Sequence, residues 1–238
     1  MPETENDALL AILDEMSALA RAASPAMAID REAYAEAGID PFTPIVLGSG
    51  SLSARLGVIG RDPGRTEVLR GEPFIGAGGR KLRDGLHRAM FGGDCPDEAA
   101  AVAVGRSVFW ANTVPFKPVG NKAWSAPVLR RFAPLMGRLV LELWKGEELI
   151  TCGNGAFAWI GLVEPRLRPA LDAFWARPDR YEASLRVELR DRALTLHPLP
   201  HPSPLNATWF KRFPGLLDAR LAALGWPDRS PRSPTGGR

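Results

Sequence analysis

Four short stretches carry residue types suited to chemistry: "GRDPG" at 60–64, "GEPFIGAGG" at 71–79, "ANTVPFKPVGN" at 111–121 and "HPSPLN" at 201–206. In the first, Gly60 and Gly64 permit tight turns while Pro63 stiffens the chain beside Asp62. A carboxylate held this way orients water, accepts a proton or stabilises a developing positive charge. From this stretch alone a turn-capping aspartate is the more ordinary reading. His201 lies between Pro200 and Pro202. Its imidazole donates or accepts a hydrogen bond near neutral pH, so a catalytic and a structural role are both open. Asn112 offers an amide donor and acceptor that match the edge of a heterocycle, or simply a turn. Phe74, in a glycine-rich loop with little to cover it, is suited to stacking, although phenylalanine is ordinarily core. Gly76, Gly78 and Gly79 precede Arg80 and Lys81 in the manner of a phosphate-cradling turn. The GK[ST] ending is missing and GxGxxG is not matched, which argues against nucleotide hydrolysis and dinucleotide binding.

These stretches must be positioned by elements that alternate. Leu9, Ile12, Leu13, Met16 and Leu19 recur at helical spacing and predict a helix over 7–22. Leu82, Leu86 and Met90 mark a second helix. Val128, Phe132, Leu135, Leu139 and Leu143 mark another, which Pro134 is expected to break or restart. Leu217, Leu221 and Leu224 end at Gly225, a C-cap signal. Between them run apolar segments of strand length: "PIVLG", "ARLGVIG", "VFWANTV", "ELITCG" and "ALTLH". Strands alternating with helices predict a three-layer α/β/α sandwich around a mostly parallel sheet of four to five strands. In such a sheet the ligand crevice lies at the carboxyl ends of the strands, where all four stretches fall.

Composition excludes little. The 238 residues carry a formal charge of +3, 45% hydrophobic and 24% charged residues, ordinary for a globular protein. The charge permits nucleic acid as a partner without requiring it. Cys95 and Cys152 form neither a CxxC pair nor a metal-ligand spacing, so no metal is expected. The acidic amino terminus and the lack of a long apolar run predict neither a signal peptide nor a membrane span; a cytoplasmic location is expected. The segment 227–238, "PDRSPRSPTGGR", is too polar and too rich in proline and glycine to pack and is expected to be disordered, leaving 1–226 as one domain. No internal repeat is visible, and nothing points to an oligomer, so a monomer is expected.

Taken in order, the four stretches resemble the uracil-DNA glycosylase superfamily, from about residue 45 to 224. "GRDPG" is similar to GQDPY of its family one and GEAPG of family four. "GEPFIGAGGRKL" is close to the family-four GEPFVGRAGQLL, whose phenylalanine stacks on uracil. "NTVPFKPVGNK" resembles NVVKCRPPGNR, whose first asparagine reads the uracil edge, and "HPSPLN" is nearly the family-one HPSPLS. The resemblance implies excision of uracil from DNA by hydrolysis of the N-glycosidic bond. Asp62 would stabilise the sugar cation and position water, and His201 would hydrogen-bond the departing base. Phe74 and Asn112 would bind uracil together with Gly60, Arg61, Pro63 and Gly64. Leu205 would push between bases from a support stiffened by Pro202 and Pro204. Ser203, Asn206, Lys117 and Lys122 would hold phosphates. The implied partner is uracil-containing DNA, single- or double-stranded.

Two departures matter. Family four holds an iron–sulfur cluster on four cysteines, and two of those positions correspond here to Phe116 and Phe132. No cluster and no other cofactor is therefore expected, with packed aromatics in its place. Gly64 stands where family one has the tyrosine that excludes the thymine methyl. A same-fold glycosylase for another deaminated or mismatched base, and a catalytically weak DNA-binding relative, remain as alternatives. A serine hydrolase does not fit, since GxSxG is absent.

Overall fold

A computed structural model describes residues 3–203 and 206–227. Its sheet has five strands: β1 (Leu56–Gly60), β2 (Val108–Asn112), β3 (Glu148–Cys152), β4 (Leu185–Leu189) and β5 (Arg192–Leu199). Their order is β2-β1-β3-β5-β4. Every pairing is parallel except β4 with β5. The helices are α1 (Glu3–Ala23), α2 (Arg31–Glu36), α3 (Arg65–Arg70), α4 (Ala77–Phe91), α5 (Glu98–Gly105), α6 (Ala126–Arg138), α7 (Asn154–Val163), α8 (Arg168–Trp175) and α9 (Ala207–Ala223).

Alternation along the strands divides the interior into two cores. Ile59, Phe109, Ala111, Leu149, Leu194 and Leu196 face one side, where α1, α2, α6, α7 and α8 contribute Met16, Tyr34, Phe132, Phe157 and Phe174. Val58, Val108, Trp110, Ile150 and Leu199 face the other, covered by Leu82 of α4, Val104 of α5 and Leu217 of α9. Strands buried on both faces read as continuous apolar runs, which is why β1, β2 and β3 are visible in the sequence. This is the expected three-layer α/β/α arrangement. Among the described residues no helix is long and apolar enough to cross a membrane.

The structure corrects three expectations. "PIVLG" is not a strand: Leu47 has a left-handed φ of 61°, which breaks the extended path. The segment instead lies along the open edge of β2, with Ile45 N donating to Pro115 O (2.7 Å) and Leu47 N to Trp110 O (3.0 Å). It thereby covers backbone groups that an edge strand would expose. Pro134 neither breaks nor restarts its helix: α6 runs through it and continues as a π-helical turn over Leu139–Leu143. Both Pro134 and Arg130, the residue whose carbonyl loses its partner, are exposed, which leaves that carbonyl open to solvent. Finally, β4 lies outside the expected strand set, although Leu185, Val187 and Leu189 alternate with charged residues. β4 pairs with β5 only as far as Leu196. Pro198 and Pro200 follow where β5 has no neighbour on that side, a position a central strand would not tolerate.

Phe116 and Phe132 are fully buried, with ring centroids 5.5 Å apart. Neither offers a metal ligand, and two cysteines in the whole chain cannot supply four thiolates. Among the described residues no group of three or more His, Cys, Asp or Glu is placed to hold a metal. The residues do not fit an iron–sulfur cluster; packing of aromatic rings occupies these positions. Phe132→Ala should cost about 3–5 kcal/mol in chemical denaturation, and elemental analysis of the purified protein should find no stoichiometric iron. A loss under 1 kcal/mol, or iron at one cluster per chain, would contradict this.

Candidate active site

The carboxyl ends of β1, β2, β3 and β5 open onto one cleft of about 770 Å³. Gly60, Arg61, Asp62, Pro63 and Gly64 line it from the end of β1, Asn112 from β2, Cys152 from β3 and His201 from the chain leaving β5. Phe74, Ser203 and Asn206 complete its walls. Asp62 and His201, separated by more than half the chain, thus reach the same space.

Gly60 makes the floor possible. It pairs in register with Asn112, and a Cβ there would lie 2.7 Å from the Phe74 ring and 2.8 Å from Asn112 Oδ1. Any side chain at 60 would therefore separate the ring from the amide. Asn112 is 3% exposed, so its amide is largely withdrawn from solvent. Thr113 secures the adjoining loops, its N donating to Gly60 O (2.9 Å) and its Oγ1 to Arg61 O (2.7 Å).

Phe74 takes a left-handed φ of 55°, a conformation that costs a non-glycine residue energy and must be imposed by its surroundings. A buried cation imposes it. Arg83 is completely enclosed; its Nε donates to Phe74 O (2.8 Å), and its Nη2 to Pro73 O (2.7 Å) and Glu72 Oε1 (2.6 Å). Glu72 in turn accepts from Ser49 N (2.8 Å) and Ser49 Oγ (2.7 Å). The Arg83 guanidinium lies 4.7 Å from the Trp110 ring, and Trp110 supports Phe74 at 5.1 Å. The charge of Arg83 is thereby paired and bonded, as burial requires.

The remaining glycines of 71–79 serve packing rather than phosphate binding. Gly76 N donates to Glu67 Oε1 (2.9 Å), which fills the amide a cradled anion would use. Gly79 lets α4 pass directly under the Phe74 backbone. Arg80 pairs with Asp84 (2.8 Å), and Lys81 lies 4.2 Å from the Phe210 ring.

Asp62 is almost enclosed, 5% of its side chain being exposed. Burial pushes its pKa above the ordinary carboxylate range, against the pull of Arg61 and Lys117. His201, at the cleft mouth, is shifted the other way: desolvation, and then the Arg61 charge, lower its pKa and favour the neutral ring. Gly153, with φ 86°, lets the His201 backbone cross close above it. Pro202 O packs against Gly78 of α4. Of the other histidines, His87 bonds Gly93 O (2.6 Å), and His197 is buried between Glu148 (2.7 Å) and Ser184 (2.8 Å). Neither lines the cleft.

The phosphate-binding set divides. Lys122 is exposed, next in the chain to the cleft-lining Asn121. Lys117 is not: it is 3% exposed, and its ammonium is committed to Asp30 (3.1 Å), Asn121 Oδ1 (2.9 Å) and Pro118 O (3.0 Å). Its expected phosphate contact is corrected to an internal one, because the loop turns its ammonium toward the Asp30 cap of α2. Pro204 and Leu205 lie outside the described residues, as does the tail from 228 onward. Sequence reasoning missed Glu67, whose Oε2 would stand 2.5 Å from a Cβ at position 64. It also missed Asp30, Arg83 and Glu72; no short motif marks residues that act through long-range contacts.

A mostly parallel sheet whose strand ends bring a buried carboxylate, a histidine and an amide to one cleft, joined there by an aromatic ring from the loop between α3 and α4, defines an α/β site suited to a planar, hydrogen-bonding group. A family model described as the Uracil DNA glycosylase superfamily matches residues 47–225, about three-quarters of the chain. The protein belongs to that superfamily and is a DNA glycosylase of this class, acting on DNA.

Gly79→Ala should drive the new methyl into the Phe74 backbone and destabilise the protein by about 1–3 kcal/mol. The loss of the Phe74–Trp110 contact should appear in the near-ultraviolet circular dichroism. An unchanged spectrum and melting temperature would show that Phe74 is not held from this side.

Proposed function

We propose that this glycosylase excises uracil, leaving an abasic site. The observation carrying this reading is that Asp62, His201, Phe74 and Asn112 line one cleft, the four positions at which the chain resembles uracil-excising enzymes. A base within a duplex is unreachable, so it is rotated out at a cost of a few kcal/mol. Phe74 stacks on the extruded ring, and the Asn112 amide pairs with its edge and disfavours cytosine, whose exocyclic donor replaces an acceptor. Cleavage passes through an oxocarbenium-like sugar, as in glycoside hydrolysis. The ionised Asp62 stabilises that cation and orients water toward it. The neutral His201 donates a hydrogen bond to the uracil oxygen on which negative charge collects. Arg61, Pro63 and Gly64 form the adjoining wall. Ser203, Asn206 and Lys122 hold flanking phosphates, and Leu205 fills the vacated stack from its proline-braced loop.

Thymine rejection is assigned to Glu67. Gly64 offers no side chain, and the Glu67 carboxylate fills the space where one would begin, fixed there by Gly76 N. A methyl group entering beside it would desolvate a charge.

Single- and double-stranded oligonucleotides containing one uracil, treated with alkali after incubation, test the reading. Asp62→Ala and His201→Ala should each lower cleavage about 10²–10⁴-fold with unchanged melting behaviour. Retained activity in both, or no uracil release by the native protein, overturns it; release of hypoxanthine alone would reassign the substrate. Leu205→Ala should slow duplex cleavage more than single-strand cleavage, and equal losses would remove the wedge role. Glu67→Ala should raise excision of thymine from T·G pairs; if it does not, another group excludes the methyl.

A further inference from the structure

Adjacent side chains seldom form an ion pair, yet Arg61 and Asp62 do. Arg61 Nε donates to Asp62 Oδ1 at 2.6 Å and Nη2 to Oδ2 at 3.3 Å. Nη2 also donates to the Asn121 carbonyl at 3.0 Å, and the Asn121 side chain is held by Lys117. The guanidinium therefore joins the loop leaving β1 to the turn Val119–Asn121 on the opposite wall. A planar fork of this kind fixes the plane of a carboxylate as well as its charge, which an ammonium does not.

The need for such a partner follows from burial. The charged and titratable groups around Asp62 are Arg61 beside it, Lys117 from the loop after β2 and Glu67 from α3, with Asp30 at the cap of α2, Arg65 of α3, Cys152 of β3 and His201 on the same cleft. Arg65 is engaged by Glu32 and Glu36. Lys117 is shared with Asp30, and Glu67 opposes ionisation. Arg61 is consequently the main cation available to the carboxylate. The motifs that this stretch resembles, GQDPY and GEAPG, place a neutral or acidic residue here, so the arrangement belongs to this chain.

We propose that Arg61 is a positioning residue for the glycosylase reaction, clamping Asp62 in its ionised form with Oδ1 tightly held and Oδ2 left open to water. The proposal rests on the uracil-excision reading for its kinetic arm only. Each carboxylate oxygen has two acceptor sites; the 2.6 Å bond occupies one on Oδ1 firmly, while the 3.3 Å bond leaves Oδ2 the less engaged oxygen. The same cation adds to the desolvation that biases His201 toward the neutral ring, so one side chain acts on both groups that meet the substrate.

Arg61→Gln and Arg61→Lys in the full chain test this, since Arg61 is partly exposed and its loss leaves no buried cavity. The first readout needs no substrate: carbon NMR titration of the Asp62 carboxyl and proton NMR titration of the His201 ring. Arg61→Gln should raise both pKa values. Arg61→Lys should bring Asp62 back toward its native value. The second readout is the pH dependence of kcat/KM on a uracil oligonucleotide. Its acid limb should move to higher pH in Arg61→Gln, lowering the rate roughly tenfold for each pH unit of movement at pH values below the limb. In Arg61→Lys the limb should return while kcat remains reduced and KM is unchanged, because charge is restored and orientation is not. Unmoved titrations in Arg61→Gln overturn the clamp even if uracil is excised normally. A raised KM with an unmoved limb also overturns it, and identifies Arg61 as a DNA contact. If native protein releases no uracil, the excision reading fails, while the NMR arm still decides whether Arg61 holds Asp62.

Discussion

Enclosing a carboxylate is the constraint around which this cleft is organised. An ionised group taken from water is costly unless opposite charge and hydrogen bonds replace its hydration. Arg61 meets part of that requirement for Asp62, whose pKa burial still holds above the ordinary range, and Lys117 adds a more distant positive charge while bonded to Asp30 and Asn121. Three loops are thereby drawn together: the one after β1, the one after β2 and the start of α2. The electrostatic solution and the shape of the cleft are the same set of contacts.

A second buried charge plays a corresponding part on the aromatic side. Arg83, fully enclosed and bonded to Glu72 and to the carbonyls of Pro73, Phe74 and Ala101, holds a backbone conformation that Phe74 would not adopt alone. Buried polar networks of this kind are rigid when every member is satisfied. The base platform is therefore fixed before any substrate arrives, which avoids an ordering cost on binding. Gly60, lacking a side chain, lets this platform meet the Asn112 amide.

Much of the architecture was legible from residues 54–60, 108–114 and 148–153, because strands covered on both faces are apolar throughout and end abruptly in glycine or a polar turn. "PIVLG" carries the same signal and misled, since the left-handed Leu47 is set by contacts with β2 and Pro115 that no local pattern contains. The edge strand β4 was less visible because two of its five residues, Arg186 and Glu188, are charged and solvent-facing. Pro134 illustrates the reverse error: a helix tolerates proline where water can serve the orphaned carbonyl, and exposure is not a local property.

The sequence by itself determined the chemical vocabulary: which residues carry a carboxylate, an imidazole, an amide and a ring, and that the first three lie at or just beyond the end of a strand. That the Phe74 loop instead joins α3 to α4 was not legible. The legible features are properties of short segments, governed by backbone sterics and the alternation of apolar residues. Only the tertiary structure decided partners. Lys117 points inward to Asp30 rather than outward to a phosphate, Glu67 fills the space beside Gly64, and Arg61 turns back onto its own neighbour. Charge pairing and desolvation depend on distance in space, and residues far apart in the chain set those distances.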